Sequence, residues 1–256
     1  MTSGPVTNTE DVPGQFTPSP GASPNQNAVA SWLCGLLQLG DTFYPTGSYA
    51  HSFGLEGLVA DGLVKDRESL RNFLLVSAVP ALRQMELPLA IHAWRAFGSA
   101  DWIRLGELSQ LSSALKTASE ARLASDNIGR QRTELAVNLR AHPLAQEYLR
   151  RAGESRWPFS PMIAAALEAQ VLGAPLEAAL ASVFYATIAG LLAAAMKLLR
   201  LGQNGCQTLL TELMSHAPEI MAAAAKVPFD EIGWFNPWLD IAAARHETAA
   251  ARLFIS

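Results

Sequence analysis

Ser48, His51, Ser52 and Glu56 stand close together in the chain, and a hydroxyl, an imidazole and a carboxylate at such spacing are the raw material of a nucleophile, a base and an acid. Nucleophilic catalysis also asks for a strand-to-helix elbow of the Gly-x-Ser-x-Gly kind and for oxyanion donors, and neither signature accompanies these residues. The stretch that carries them, Gly40 to Val64, is rich in glycine, which frees the backbone, and holds one proline, Pro45, and the aromatics Phe43, Tyr44, Tyr49 and Phe53. It lacks the Gly-Lys-Ser/Thr of a phosphate-binding loop. We read it as a shaped surface loop, with Pro45 and Gly47 setting its path and Tyr49 and Phe53 pinning it. A metal carrier or hydrolase using His51, Ser52 and Glu56 is the alternative.

The chain's 5 histidines show no HExxH-like spacing. His246 and Glu247 are neighbours on a helical segment, which sets them about 100° apart and unsuited to chelating one ion from a single helix. The 2 cysteines, Cys34 and Cys206, are far apart with no partner ligand nearby, and read as ordinary buried or half-buried thiols. Lys197, in the most apolar stretch, is the buried-charge candidate. Two readings stay open for it: a stem covered by neighbours with its ammonium at the helix C-terminus, or a report of an interface. The chain closes on Arg252-Leu253-Phe254-Ile255-Ser256; such a tip, if not docked on its own core, would be a groove-binding element for a partner.

A chain of 256 residues that is 50% hydrophobic and 16% charged can bury a substantial core, and a net charge of -4 argues against nucleic acid as the main partner. The arginines between Arg122 and Arg156 are interrupted by acidic residues. No basic start followed by an apolar run opens the chain, so the cytoplasm is the expected compartment. Leu180 to Leu199 is long enough to span a bilayer, but its alanine-rich composition, with Ser182, Thr187 and Gly190, favours the centre of a soluble bundle.

The elements that must position these residues are all helical. Residues 1–28 are Pro-, Ser- and Asn-rich without apolar periodicity and read as a disordered extension, leaving 29–256 as one folded domain. Helices are expected over Val29–Leu39, over Phe53 to Val64 with a break near Gly62, and from Ser69 behind an Asp66 cap, with kinks or restarts at Pro80 and Pro88. Further helices follow from Asp101 to Leu139 with a break around Leu115 to Ser119, then to Arg151, with Trp157 folding back onto the core. Met162–Leu172, Leu176–Leu199, Cys206–Met214, Glu219–Lys226 and a last helix from Pro237 complete the set. No run of alternating β-branched residues occurs. The fold class is therefore all-α, a single-domain bundle of about ten helices.

Leu37-Gln-Leu-Gly-Asp-Thr-Phe-Tyr-Pro-Thr-Gly-Ser-Tyr-Ala-His-Ser-Phe-Gly-Leu-Glu56 resembles the signature of the urease accessory protein F family, UreF, around Pro45, Gly47, Tyr49, Ser52, Gly54 and Glu56. The blocks Arg122 to Arg130, Lys197 to Gln203 with Gln207 beyond, and His246 and Glu247 with Arg252 to Ser256 match in the same order, and Arg245, next to the last block, joins Leu253 and Phe254 as a partner-binding candidate. Thr46 stands where many members carry isoleucine, and Arg200 where a proline is common. The resemblance implies a non-enzymatic, all-α scaffold that dimerises and bridges a UreD-like (also called UreH-like) protein and the nickel-carrying UreG-like GTPase. It implies that GTP hydrolysis is coupled to nickel insertion into apo-urease, with nickel as cargo and no cofactor of its own. The loop Pro45 to Ser52 and the tail would then be binding surfaces, the tail moving into the UreD-like partner.

Overall fold

Capping and proline chemistry decide where many of the helices start. In the computed structural model, which describes residues 30–41, 43–47, 52–246, 253 and 254, ten helices follow one another without a strand among the described residues. The expected extension 1–28 lies outside the described residues; from Ser31 on the chain forms one compact unit. The helices are α1 (Ser31–Leu39), α2 (Leu55–Ala60), α3 (Arg67–Gly98), α4 (Trp102–Ala114) and α5 (Ser119–Arg140). They continue with α6 (Pro143–Ser155), α7 (Pro161–Leu172), α8 (Leu176–Leu198), α9 (Gln203–Ala224) and α10 (Pro237–His246).

Asp66 caps α3 in a reciprocal box, its carboxylate accepting from Ser69 N–H at 2.8 Å while Ser69 Oγ accepts from Asp66 N–H at 3.1 Å. Asp101 caps α4 through Arg104 N–H, and His142 Nδ1 accepts from Leu144 N–H ahead of Pro143. The break expected near Leu115 to Ser119 is where α4 gives way to α5. Trp157 does fold back onto the core, its indole lying over Gly106.

Three boundaries differ from the sequence expectation. Of the kinks or restarts expected at Pro80 and Pro88 there is no restart, since α3 runs on through both, but its α geometry is interrupted: a π turn precedes each, Leu74–Ala78 and Leu82–Glu86, and the wider turn carries backbone carbonyls away from the pyrrolidine ring that an α turn would crowd. Pro218 likewise sits inside a continuous α9, where two separate helices were expected. Gly153 is helical, so α6 runs on past Arg151 to Ser155.

The centre of the bundle is α7 rather than the longer α8. α7 packs against α1, α3, α5, α6 and α8, and Ile163, Ala164, Ala166, Leu167 and Ala169 are almost completely buried. A helix surrounded in this way is apolar on all sides. α8 buries one face, with Leu180, Phe184, Ile188, Leu191 and Leu192 in the largest core cluster, and leaves Tyr185, Gly190, Met196 and Lys197 exposed. Each fully buried Leu or Phe there contributes about 1.5–3 kcal/mol. α3 and α8 are long and apolar enough to cross a bilayer, and their most apolar windows are 44% and 50% buried inside the bundle, as core helices are.

Several arginines of α5 and α6 are matched by acids: Arg150 pairs with Glu147 and Glu154, Arg151 with Glu147, and Arg130 approaches Asp126 at 3.9 Å, while Arg122 donates to the Lys116 and Thr117 carbonyls. Of the two thiols, which are both free, Cys206 is buried but Cys34 is exposed, contrary to the sequence reading, because the short α1 buries only Gly35, Leu36 and Leu39.

Candidate partner-binding surface

The start of α2 sits where three elements meet. Gly54 takes φ +84, and a Cβ built there would lie 2.7 Å from Leu239 Cδ1 of α10. One turn on, a Cβ at Gly57 would lie 2.7 Å from the Ala242 carbonyl. The glycines of this motif thus let α10 lie directly on α2. α8 covers another side of α2. Ser52, fully buried, accepts from Glu56 N–H at 3.3 Å and ties the loop to the helix. Arg245 on α10 reaches Asp61 just past α2 at 3.5 Å.

Into this corner comes the chain's end. The Glu56 carboxylate accepts from two successive backbone amides, Leu253 N–H at 2.7 Å and Phe254 N–H at 3.0 Å. The Phe254 side chain is 5% exposed and belongs to the same buried cluster as Leu55 and Leu58, while Leu253 points outward at 61%. Lys197 Nζ stands 5.1 Å from the Phe254 ring centre, a cation over an aromatic face. Glu56, Lys197, Leu253 and Phe254, which are far apart in sequence, thus form one site, with Gly54, Ser52 and Arg245 around it. Lys197 itself is exposed in the last turn of α8, as the reading with its ammonium at the helix C-terminus has it, and its contact with the Phe254 ring keeps the interface reading open beside it.

A second assembly anchors the loop before this corner, and sequence reasoning missed it. Tyr44, 8% exposed, donates its hydroxyl to Glu168 Oε1 at 3.1 Å; Glu168, 1% exposed in the middle of α7, also accepts from Arg132 of α5, with Nε at 3.0 Å and a second guanidinium nitrogen completing the fork. Burial pushes the Glu168 carboxyl above its ordinary range, while the Arg132 charge and its hydrogen bond, and then Tyr44, pull it back. Burial, and then the Glu168 charge, also raise the Tyr44 hydroxyl well above its usual value, which keeps it a donor. Among the described residues the buried charged side chain is therefore Glu168. Phe53, expected as a pin, is 50% exposed with φ 52, and Tyr44 performs that role.

Pro45 is exposed and Gly47 has φ +75, as a shaped turn requires, while Phe43 is 92% exposed. A groove of about 440 Å³ runs from this loop along the small-residue face of α8, with Tyr44, Phe53, Gly190, Lys197 and Trp234 among its walls. Phe235 and Trp238 stand 69% and 71% exposed beside it in sequence. Aromatics flanking Pro237 in a stretch with no helical periodicity were the signal that could have singled them out.

Other sequence candidates lie elsewhere. Arg130 stacks over the Phe159 ring at 4.5 Å, holding the segment that leads into α7, and Gln203 is exposed at the start of α9. Neither belongs to the Glu56 corner. Tyr49, His51, Glu247, Arg252 and the side chain of His246 lie outside the described residues. Among the described residues no group of three or more His, Cys, Asp or Glu is placed to hold a metal ion.

Comparison with known proteins bears on these surfaces. The UreF family model matches residues 64–214. The chain is 30% identical over 224 residues to "Urease accessory protein UreF" of Bacillus sp. (strain TB-90), covering 88% of this chain and 99% of that one. It is 32% identical over 240 residues to the protein so named from Xanthobacter autotrophicus (strain ATCC BAA-1158 / Py2), covering 92% and 96%, and 31% identical over 229 residues to that of Paenarthrobacter aurescens (strain TC1), covering 89% and 99%. With a family match over more than half of the chain and relatives aligned almost end to end, this chain belongs to the UreF family.

Proposed function

We propose that this protein is a urease maturation factor, a non-catalytic helical adaptor in the cytoplasm. It bridges a UreD/UreH-like protein and a UreG-like GTPase, works as a homodimer within that complex, and couples GTP hydrolysis to nickel insertion into apo-urease, nickel being cargo. The relatives' name, urease accessory protein, supports the pathway. The observation that carries the adaptor reading is the convergence of Glu56, Lys197, Arg245, Leu253 and Phe254 on one corner beside a groove edged by exposed aromatics. Interfaces of this kind draw their energy from aromatic anchors within a polar rim.

A hydrolase or metal carrier built on Ser52 and Glu56 fits the geometry less well. Ser52 is fully buried, and the Glu56 carboxylate is occupied by backbone amides. Truncation after Ala244 is expected to abolish co-purification with the UreD/UreH-like protein while leaving helical content unchanged. Full recovery of that complex by the truncated chain would overturn the role of the tail. In the assembled three-protein complex the GTPase turnover rate is expected to differ from that of the isolated GTPase, and an unchanged rate would leave docking alone.

A further inference from the structure

The Glu56 corner has the chemistry of a peptide-binding site. A carboxylate that receives two consecutive amide N–H groups recognises backbone rather than sequence, and here it is joined to a closed apolar pocket for one aromatic side chain with a cation above the ring. Those three elements match a bent segment whose two successive amides turn to the same side while its aromatic residue turns inward and its neighbour outward, which is how Phe254 and Leu253 stand. The receptor side comes from α2 and α8, which pack on each other independently of the last residues.

We infer that Glu56 and Lys197 form a peptide receptor whose occupant is the chain's own Leu253-Phe254 segment, and that this docking holds the tail back from other partners. The inference rests on the reading above in one respect only, that the tail is what a partner takes up. If so, the partner competes with Glu56 for the same amides, and the affinity it shows is reduced by the fraction of chains whose tail is docked.

Two measurements separate the inference from that reading. Residue-resolved amide exchange on the full-length chain alone is expected to show the Leu253 and Phe254 amides slowed by about tenfold or more relative to their rates in a free peptide, as hydrogen bonds to a carboxylate imply. Glu56→Ala is expected to return both to free-peptide rates. Phe254→Ala, which removes the ring and leaves Glu56 and Lys197 in place, is expected to speed both several-fold. Unprotected amides in the parent chain, or protection unchanged in both variants, would overturn the self-docked receptor whatever the tail does with a partner.

In co-purification with the UreD/UreH-like protein, Glu56→Ala is expected to tighten capture several-fold, because the tail no longer has to be released. Weakened capture would mean that Glu56 contacts the partner itself, and would overturn the holding role. Loss of capture on truncation tests the adaptor reading and leaves the amide-exchange result standing.

Discussion

Glu168 and Glu56 each use a glutamate to hold a distant piece of chain, and they do so under opposite conditions. Glu168 is sealed inside α7, takes a fork from Arg132, and fixes the loop through the Tyr44 hydroxyl. Glu56 is half-buried at the surface and accepts from two backbone amides of the Leu253-Phe254 segment. A buried pair loses much of its attraction to desolvation, yet it is costly to leave half-made. It therefore fixes one arrangement of the loop. A surface carboxylate on terminal amides can be released at small cost. One contact fixes the loop, and the other is the one proposed to be released.

The largest break in this contrast is expected from Glu168→Ala, which leaves the Arg132 guanidinium and the Tyr44 hydroxyl without their acceptor. Urea unfolding should show a loss of about 3–5 kcal/mol. Tyr44→Phe removes one hydrogen bond to a charged group and should cost about 1.5–3 kcal/mol in the same assay. Phe254→Ala should cost less than about 1 kcal/mol of global stability, despite the burial of that ring, because a terminal segment leaves its pocket before the domain unfolds. A Phe254→Ala loss as large as that of Glu168→Ala would make the tail part of the core.

The smallest effect is a pH slope. The folded-state carboxyl of Glu168 lies above the ordinary 4.5, so between the two values the folded chain retains a proton that the unfolded chain has released. That contribution is fully present below 4.5 and is lost as pH rises through the raised value. Glu168→Gln should lack it, and difference unfolding curves against pH would show this. Identical pH profiles for parent and variant would remove the desolvated carboxylate from the picture.

How much was legible in the sequence follows from how local each signal was. Caps and N-terminal prolines act within one turn, so the starts of α3, α4 and α7 could be read from Asp66, Asp101 and Pro161. Pro80, Pro88 and Pro218 misled because long helices packed on several neighbours absorb a proline that an isolated helix would not. Glu56, Lys197 and Phe254 were recognisable as candidates from motif and position. Their meeting was not, since α2, α8 and the tail are joined only by the tertiary fold. Glu168 was invisible because a single acid in an apolar helix looks like a surface residue until α7 is known to be surrounded. Tyr44 could not be told from Tyr49 and Phe53, because aromatic content does not say which ring turns inward.

Reconstituted maturation is the most direct test of the proposed function. Apo-urease, the UreD/UreH-like protein and the nickel-loaded UreG-like GTPase would be incubated with GTP, with and without this chain, and the nickel bound to re-isolated urease measured. An adaptor requires nickel incorporation to depend on this chain and to fall to background when it is omitted or truncated after Ala244. Equal nickel content with and without the chain would contradict it.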